Sequence, residues 1–354
     1  MVLNLLSKES GMLNEGVLSS SAAIEDSNLD LTLRPKRFND FIGQDRIKEN
    51  LHIYIKAAKK RGEPIDHVLF SGPPGLGKTT LSQIIASETN TAIRTTSGPI
   101  LDKPADLAGI LTNLQQGEIL FIDEIHRLNT NVEEYLYSAM EDFSIDIIID
   151  QGQKARSVKI NLQRFTLIGA TTREGLLTAP LRSRFGVLEK LEFYPWEDLY
   201  KIVCNSARKL AIPIEVKGAE AIAKRSRGTP RIANRFLRRI RDVAQVLGED
   251  GKDVIDEKIA LRGLEMLGVD ENGLCEMDRK ILQTVVKSGG GPIGLKTIAV
   301  SVNEQEDTIE EVYESFLIQR GYLEKTPRGR IATKQTYEHL GVHKQMPAQK
   351  KIFQ

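Results

Sequence analysis

Gly72-Pro73-Pro74-Gly75-Leu76-Gly77-Lys78-Thr79-Thr80 follows the apolar run Val68-Leu69-Phe70 and leads into a helix-like segment. Glycines at this spacing let the backbone curl until its amides face the β and γ phosphates of a nucleoside triphosphate. Lys78 adds a mobile positive charge, and the Thr79 hydroxyl offers a ligand to Mg2+. A structural glycine turn would require neither residue. A second constellation, Ile119-Leu120-Phe121-Ile122-Asp123-Glu124, ends an apolar strand in two acids. Asp123 is expected to hold Mg2+ through water, and Glu124 to orient or deprotonate the attacking water, because phosphoryl transfer depends on alignment and charge neutralisation. A polar strand-end turn is the bland alternative, and the phosphate loop upstream disfavours it. Thr171, after Leu167-Ile168-Gly169-Ala170, is placed to bring a hydroxyl near the γ phosphate, with Thr172 as its alternative.

Arginines supply the remaining charge. Arg182 and Arg184, in Leu181-Arg182-Ser183-Arg184-Phe185-Gly186, read equally as charges entering a neighbouring subunit's site or as surface salt bridges. Arg231 closes Arg227-Gly228-Thr229-Pro230-Arg231, where Pro230 fixes a first helical turn, so that a phosphate can be sensed from a lid. Arg235, Arg238, Arg239 and Arg241 read as a solvated helix face in preference to a DNA surface. The five histidines are scattered, and His126 is expected to make a polar contact near the site instead of binding a metal.

These residues need a sheet to carry them. From Arg34 to Tyr194 short apolar strands at Val68 to Phe70, Ile119 to Ile122 and Phe165 to Ala170 alternate with amphipathic helices, an α/β pattern. Ser144 to Gly152 and Ala155 to Ile160 form a hairpin that either packs locally or docks a partner. Helical periodicity over Trp196 to Lys209, Ala219 to Arg225 and Pro230 to Val246 predicts a lid. Helices from Leu274 onward, then two short β-like runs in Ile318 to Ile331 joined by a basic Pro-Gly turn, predict a winged helix. Lys325, Arg328 and Arg330 at that turn are candidates for DNA phosphate contact, a solvated turn being the alternative.

At 354 residues two or three domains are expected. The 49 Lys and Arg nearly balance 48 Asp and Glu, so nucleic-acid contact must come from a local patch. Cys204 and Cys275 have no pairing or metal spacing, which fits a reducing compartment. With no membrane-length apolar run and no signal-peptide core, a cytoplasmic protein is expected.

Taken with Arg94-Thr95-Thr96-Ser97-Gly98-Pro99, Phe121 to Leu128, Gly228 to Arg235 and Thr326-Pro327-Arg328-Gly329-Arg330, the sequence closely resembles the RuvB family of the AAA+ superfamily, bacterial Holliday-junction branch-migration ATPases. The likeness runs from about Leu31 to Gly341. It implies an α/β AAA+ P-loop NTPase core over residues 31–195, a helical lid over 196–268 and a C-terminal winged-helix domain over 269–341. Flexible segments are expected at 1–30 and 342–354. It further implies that Arg34, Gly75, Lys78, Thr79, Thr80, Glu141, Asp142, Phe143 and Tyr194 surround ATP or ADP, with Mg2+ at Thr79 and Asp123. Thr171 becomes the first sensor, Arg231 the second and Arg184 the arginine finger. By the same resemblance the Ile145 to Ile160 hairpin contacts RuvA, Lys325 and Arg330 approach DNA, and hexameric rings encircle duplex DNA at a RuvA-bound junction that RuvC resolves. The expected activity is ATP-driven branch migration in homologous recombination and DNA repair. One departure stands at Glu306, where the family pattern carries Arg, so DNA contact is not expected there. A clamp-loading ATPase would share the core but not these family-specific runs, and a DNA-binding module without catalysis would leave Lys78, Asp123, Glu124 and Arg231 without a common purpose.

Overall fold

The computed structural model describes residues 32–148, 157–248 and 253–342. The chain divides into two compact units, Met1–Pro35 and Lys36–Gln354. Arg34 falls in the first, of which residues 32–35 are described, and all sheets belong to the second. The N-terminal segment 1–30 and the tail beyond Val342 lie outside the described residues.

Among the described residues seven strands precede the lid: β1 (Val68–Ser71), β2 (Ile93–Ser97), β3 (Ile119–Asp123), β4 (Ser144–Ile148), β5 (Ser157–Asn161), β6 (Thr166–Thr171) and β7 (Val187–Lys190). Five form one parallel sheet in the order β2-β3-β6-β1-β7. Its inner strands β1, β3 and β6 are nearly continuous apolar runs because helices cover both faces of such a sheet. Alternate residues go to opposite sides: Phe70, Phe121 and Ile168 enter one core, Leu69, Leu120 and Leu167 the other. The pairing sets Ser71 beside Thr171 and Ile122 beside Gly169. The loops leaving β1, β3 and β6 therefore open side by side at the carboxyl edge, where ligands of open α/β sheets bind.

The sequence reading missed β2 and β7. β2 is an edge strand carrying Arg-Thr-Thr-Ser, and β7 alternates buried Val187 and Glu189 with exposed Leu188 and Lys190, so neither presents the apolar run that marks an inner strand. β4 and β5 pair antiparallel from Ser144↔Asn161 to Ile148↔Ser157 as the expected hairpin, and its tip lies outside the described residues.

Lid helices Trp196–Lys209, Val216–Arg225, Pro230–Leu247 and Glu257–Met266 bury Leu199, Val203, Ile222, Phe236 and Leu237 in a core continuous with Phe70 and Ile84 of the parallel-sheet domain. Arg238 is buried, which corrects the solvated-face reading at that position, while Arg239 and Arg241 pair with Asp242 near the surface. The last region has its own core, including Ile281, Leu282, Leu317 and Tyr322, under the hairpin of β8 (Leu323–Thr326) and β9 (Gly329–Ala332). Ile318 and Gln319, read from sequence as the start of the hairpin run, instead end a helix. That helix begins at Glu306 and is π-wound over Ile309–Glu314. This is the AAA+ core, helical lid and winged helix expected from sequence.

Candidate active site

After β1, Gly72, Gly75 and Gly77 take φ values of 132°, 81° and 106°, which side chains with a Cβ rarely adopt. Gly75 has a second constraint: a Cβ there would lie 3.0 Å from Arg231 Cβ, so the lid arginine rests directly on the loop. Helix Lys78–Thr89 then starts, presenting unpaired amides and the positive end of its dipole. Lys78 is 7 % exposed and donates from Nζ to Gly72 O at 2.6 Å and Pro73 O at 2.9 Å. Burial lowers its pKa, and the carboxylates of Glu124, Asp123 and the distant Glu311 work the other way. Thr79 and Thr80 are half-buried on the first turn, and their hydroxyls make no hydrogen bond among the described residues.

β3 delivers the acids. Asp123 Oδ1 accepts from Glu124 N at 3.0 Å, and Glu124 sits at φ 48°. A non-glycine residue held there costs on the order of 1–3 kcal/mol, a strain that clusters at functional sites. Glu124 Oε2 accepts from the Thr172 hydroxyl at 3.2 Å and lies 3.3 Å from His126 Nδ1. Thr171, wholly buried, is turned inward: its hydroxyl lies 2.9 Å from His126 Nδ1 and accepts from Arg173 N at 3.0 Å. Of the two threonines after β6, Thr172 therefore reaches Glu124 and Thr171 braces the turn. His126 makes the polar contact expected of it. Burial lowers its pKa, with Arg173, Arg127 and Lys78 adding to the effect and Glu311 opposing it.

Tyr194 is buried, donates to Leu76 O at 3.1 Å and has a phenol pKa raised by that burial. Its amide donates to Gly228 O at 2.8 Å, tying the loop before Arg231 to the end of the parallel-sheet domain. Arg184 stands outside this cluster. It donates to Glu141 Oε2 and Pro180 O, both at 2.8 Å, with its guanidinium 4.6 Å over the Tyr137 ring. Glu141 and Asp142 are exposed, whereas Phe143 packs on His67 and Phe165. Arg182 pairs with Glu174, whose other oxygen accepts from Ser71. In the wing, Lys325 and Arg330 are held by Glu310 and Glu314, while Arg328 is exposed and has no ion pair among the described residues.

The donors suit a hard divalent cation bound with phosphates: a free threonine hydroxyl at Thr79 and the half-buried Asp123 carboxylate. No group of three or more His, Cys, Asp or Glu side chains able to hold a metal by themselves occurs among the described residues.

Three family models match in succession. The "Holliday junction DNA helicase RuvB P-loop domain" covers residues 33–191, the "RuvB AAA lid domain" 194–270 and the "RuvB C-terminal winged helix domain" 271–341. The chain belongs to the RuvB family. It is 57 % identical over 324 residues to the Holliday junction branch migration complex subunit RuvB of Salinibacter ruber, covering 91 % of this chain and 93 % of the relative. The Flavobacterium johnsoniae subunit is 56 % identical over 332 residues, 93 % of this chain and 97 % of its own. Among solved structures, the Thermotoga maritima RuvB Holliday junction branch migration motor superposes with a TM-score of 0.81 at 51 % identity, over 89 % of this chain and 100 % of that one. As a RuvB-family AAA+ protein the chain is an ATPase connected with DNA recombination and repair. No helix among the described residues is long and apolar enough to cross a membrane.

Proposed function

We propose that the chain is a Mg2+-dependent ATPase that assembles into hexameric rings and drives duplex DNA through them, moving Holliday junctions with RuvA and working with RuvC at resolution. The reading rests above all on Glu124, strained at φ 48° and fixed between Thr172 and His126 in the same electrostatic neighbourhood as Lys78. The phosphates of ATP take the place of the Gly72 and Pro73 carbonyls at Lys78, and the amides of the loop and helix terminus share the remaining charge. Thr79 and, through water, Asp123 would hold Mg2+, which would supply charge neutralisation at the phosphates. Glu124 orients the attacking water and accepts its proton, and Thr172, the alternative to Thr171, faces the γ phosphate. Arg231 reports nucleotide to the lid from its seat on Gly75, and Glu141, Asp142, Phe143 and Tyr194 complete the surroundings of the nucleotide.

Arg184 pairs with Glu141 of its own chain and with none of Lys78, Asp123, Glu124 or Thr172, which favours its acting on the neighbouring subunit's γ phosphate. Val158, exposed on the β4–β5 hairpin, suits an apolar contact with RuvA. Lys325, Arg328 and Arg330 hold backbone phosphates without reading bases, so translocation is indifferent to sequence. Mixing Arg184→Ala with Glu124→Gln tests the shared site. Each variant alone is expected to lose hydrolysis by about 100-fold or more, and mixed rings recover part of it, because the Glu124→Gln subunit lends its arginine to an intact site. Full activity of Arg184→Ala, or no recovery on mixing, would refute the trans assignment.

A further inference from the structure

Arg173, one residue beyond Thr172, reaches acids of the winged-helix domain. Its Nη2 lies 2.9 Å from Asp307 Oδ1 and 3.3 Å from Glu310 Oε2, and its Nε 2.8 Å from Glu311 Oε1. Asp307, Glu310 and Glu311 stand at i, i+3 and i+4 on one face of their helix, so three carboxylates meet one guanidinium. Glu310 faces both ways. While Oε2 takes Arg173, Oε1 lies 2.9 Å from Lys325 Nζ and 3.9 Å from Arg330 Nη2. Glu314, almost fully buried, holds Arg330 at 2.7 Å and Lys325 at 3.5 Å. The hydrogen bond from Lys325 and the surrounding cations keep the Glu310 carboxyl below its ordinary pKa, so it stays ionised in neutral solution.

We propose that Glu310 couples DNA on the wing to the nucleotide site, as a counter-ion shared between the turn at Arg173 and the wing cations Lys325 and Arg330. The inference rests on the DNA-contact reading of Lys325 and Arg330. Without DNA, one carboxylate is divided among three cations. A backbone phosphate arriving at the wing competes for Lys325 and Arg330, and Glu310 is left to Arg173 alone. The Arg173 pairing then tightens, and Arg173 N, which donates to Thr171 beside His126 and Glu124, carries the change to the acid that handles water. Glu311, whose charge reaches both Lys78 and His126, puts the same helix in electrostatic contact with the site.

The test compares ATP hydrolysis with and without duplex DNA, and duplex affinity at fixed salt, in full-length wild type, Glu310→Gln, Arg173→Gln and the double variant. Glu310→Gln is close to isosteric at a half-exposed position and is expected to fold, which circular dichroism checks. It should leave basal hydrolysis unchanged, bind duplex about threefold tighter because a masking charge is gone, and lose about fivefold or more of the DNA stimulation ratio. Arg173→Gln should lose the same ratio, with no further loss in the double variant. An unchanged ratio in Glu310→Gln, weaker DNA binding, or independent losses that multiply in the double variant would overturn the shared counter-ion. Wild type that neither hydrolyses ATP nor binds duplex would instead remove the motor reading itself.

Discussion

Arg227 and Asp278 join the lid to the winged-helix domain, and removing Asp278 tests whether that joint fixes the loop leading to Arg231. The Arg227 side chain is 8 % and the Asp278 side chain 0 % exposed, with Nη1 2.8 Å from Oδ2 and Nη2 3.1 Å from Oδ1. Nη2 also donates to Val312 O, and the Phe316 ring lies 4.3 Å from the guanidinium carbon. Burial raises the Asp278 pKa, and Arg227, 2.8 Å away, opposes it. Asp278 has a second duty, accepting from Cys275 N at 2.8 Å to cap helix Glu276–Lys287. Asp278→Ala leaves a buried cation without its counter-ion, which costs about 3–5 kcal/mol. With a urea dependence of about 2 kcal/mol per molar, the unfolding midpoint drops by on the order of 2 M. Trp196, the chain's single tryptophan, opens the first lid helix with Lys224 Nζ 4.6 Å over its ring, so its fluorescence follows the lid. Replacing both partners with apolar side chains, Arg227→Met with Asp278→Leu, is expected to restore most of the loss, since a buried pair is often neutral against well-packed hydrophobic groups. A midpoint within about 0.3 M of wild type for Asp278→Ala, or single losses that simply add in the double variant, would refute the reasoning.

His67 predicts an acid limit. Leu167 N donates to Nδ1 at 2.8 Å, so the ring proton is on Nε2, facing Met140 O at 3.2 Å, and burial lowers the pKa of this neutral imidazole. The unfolded chain therefore binds more protons. Stability is full above the unfolded value near 6.5 and falls as pH drops through it, by up to about 1.4 kcal/mol per pH unit. His67→Gln should flatten that slope in urea titrations at pH 7.5 and 5.5; an unaltered slope contradicts the assignment. Gly75→Ala, which forces a Cβ onto Arg231 at φ 81°, is expected to weaken ATP binding about tenfold or more in fluorescent-nucleotide titrations; unchanged affinity would place Arg231 off the loop in the nucleotide-bound state. Thr172→Val should slow hydrolysis with little change in nucleotide affinity, whereas Thr171→Val should chiefly lower stability, by about 1–3 kcal/mol for the bonds lost at His126 and Arg173; the reverse pattern in kinetics and melting would restore Thr171 as the sensor.

The phosphate loop, the acid pair and the inner strands were legible because each is written within a few consecutive residues: an apolar run, then glycines or acids at its end. The lid was legible for the same reason, helix Trp196–Lys209 matching its periodicity at both ends. What the sequence did not disclose are pairings between distant residues. Arg173 finds Asp307, Arg227 finds Asp278 and His67 lies between Met140 and Leu167, and no local pattern marks either partner. The reading of Lys325 and Arg330 as open cations likewise came from their own turn, while the acids that hold them sit on a helix 11 to 20 residues earlier. The choice between Thr171 and Thr172 needed the twist of one turn after β6, which identical neighbouring residue types cannot convey.

The most direct measurement is migration of a synthetic four-way junction by wild type and Glu124→Gln, with and without RuvA, in the presence of ATP and Mg2+. The proposed motor predicts migration that requires RuvA and ATP and disappears in Glu124→Gln, while that variant still binds nucleotide. Hydrolysis by the wild type without any movement of the junction in the presence of RuvA would contradict it.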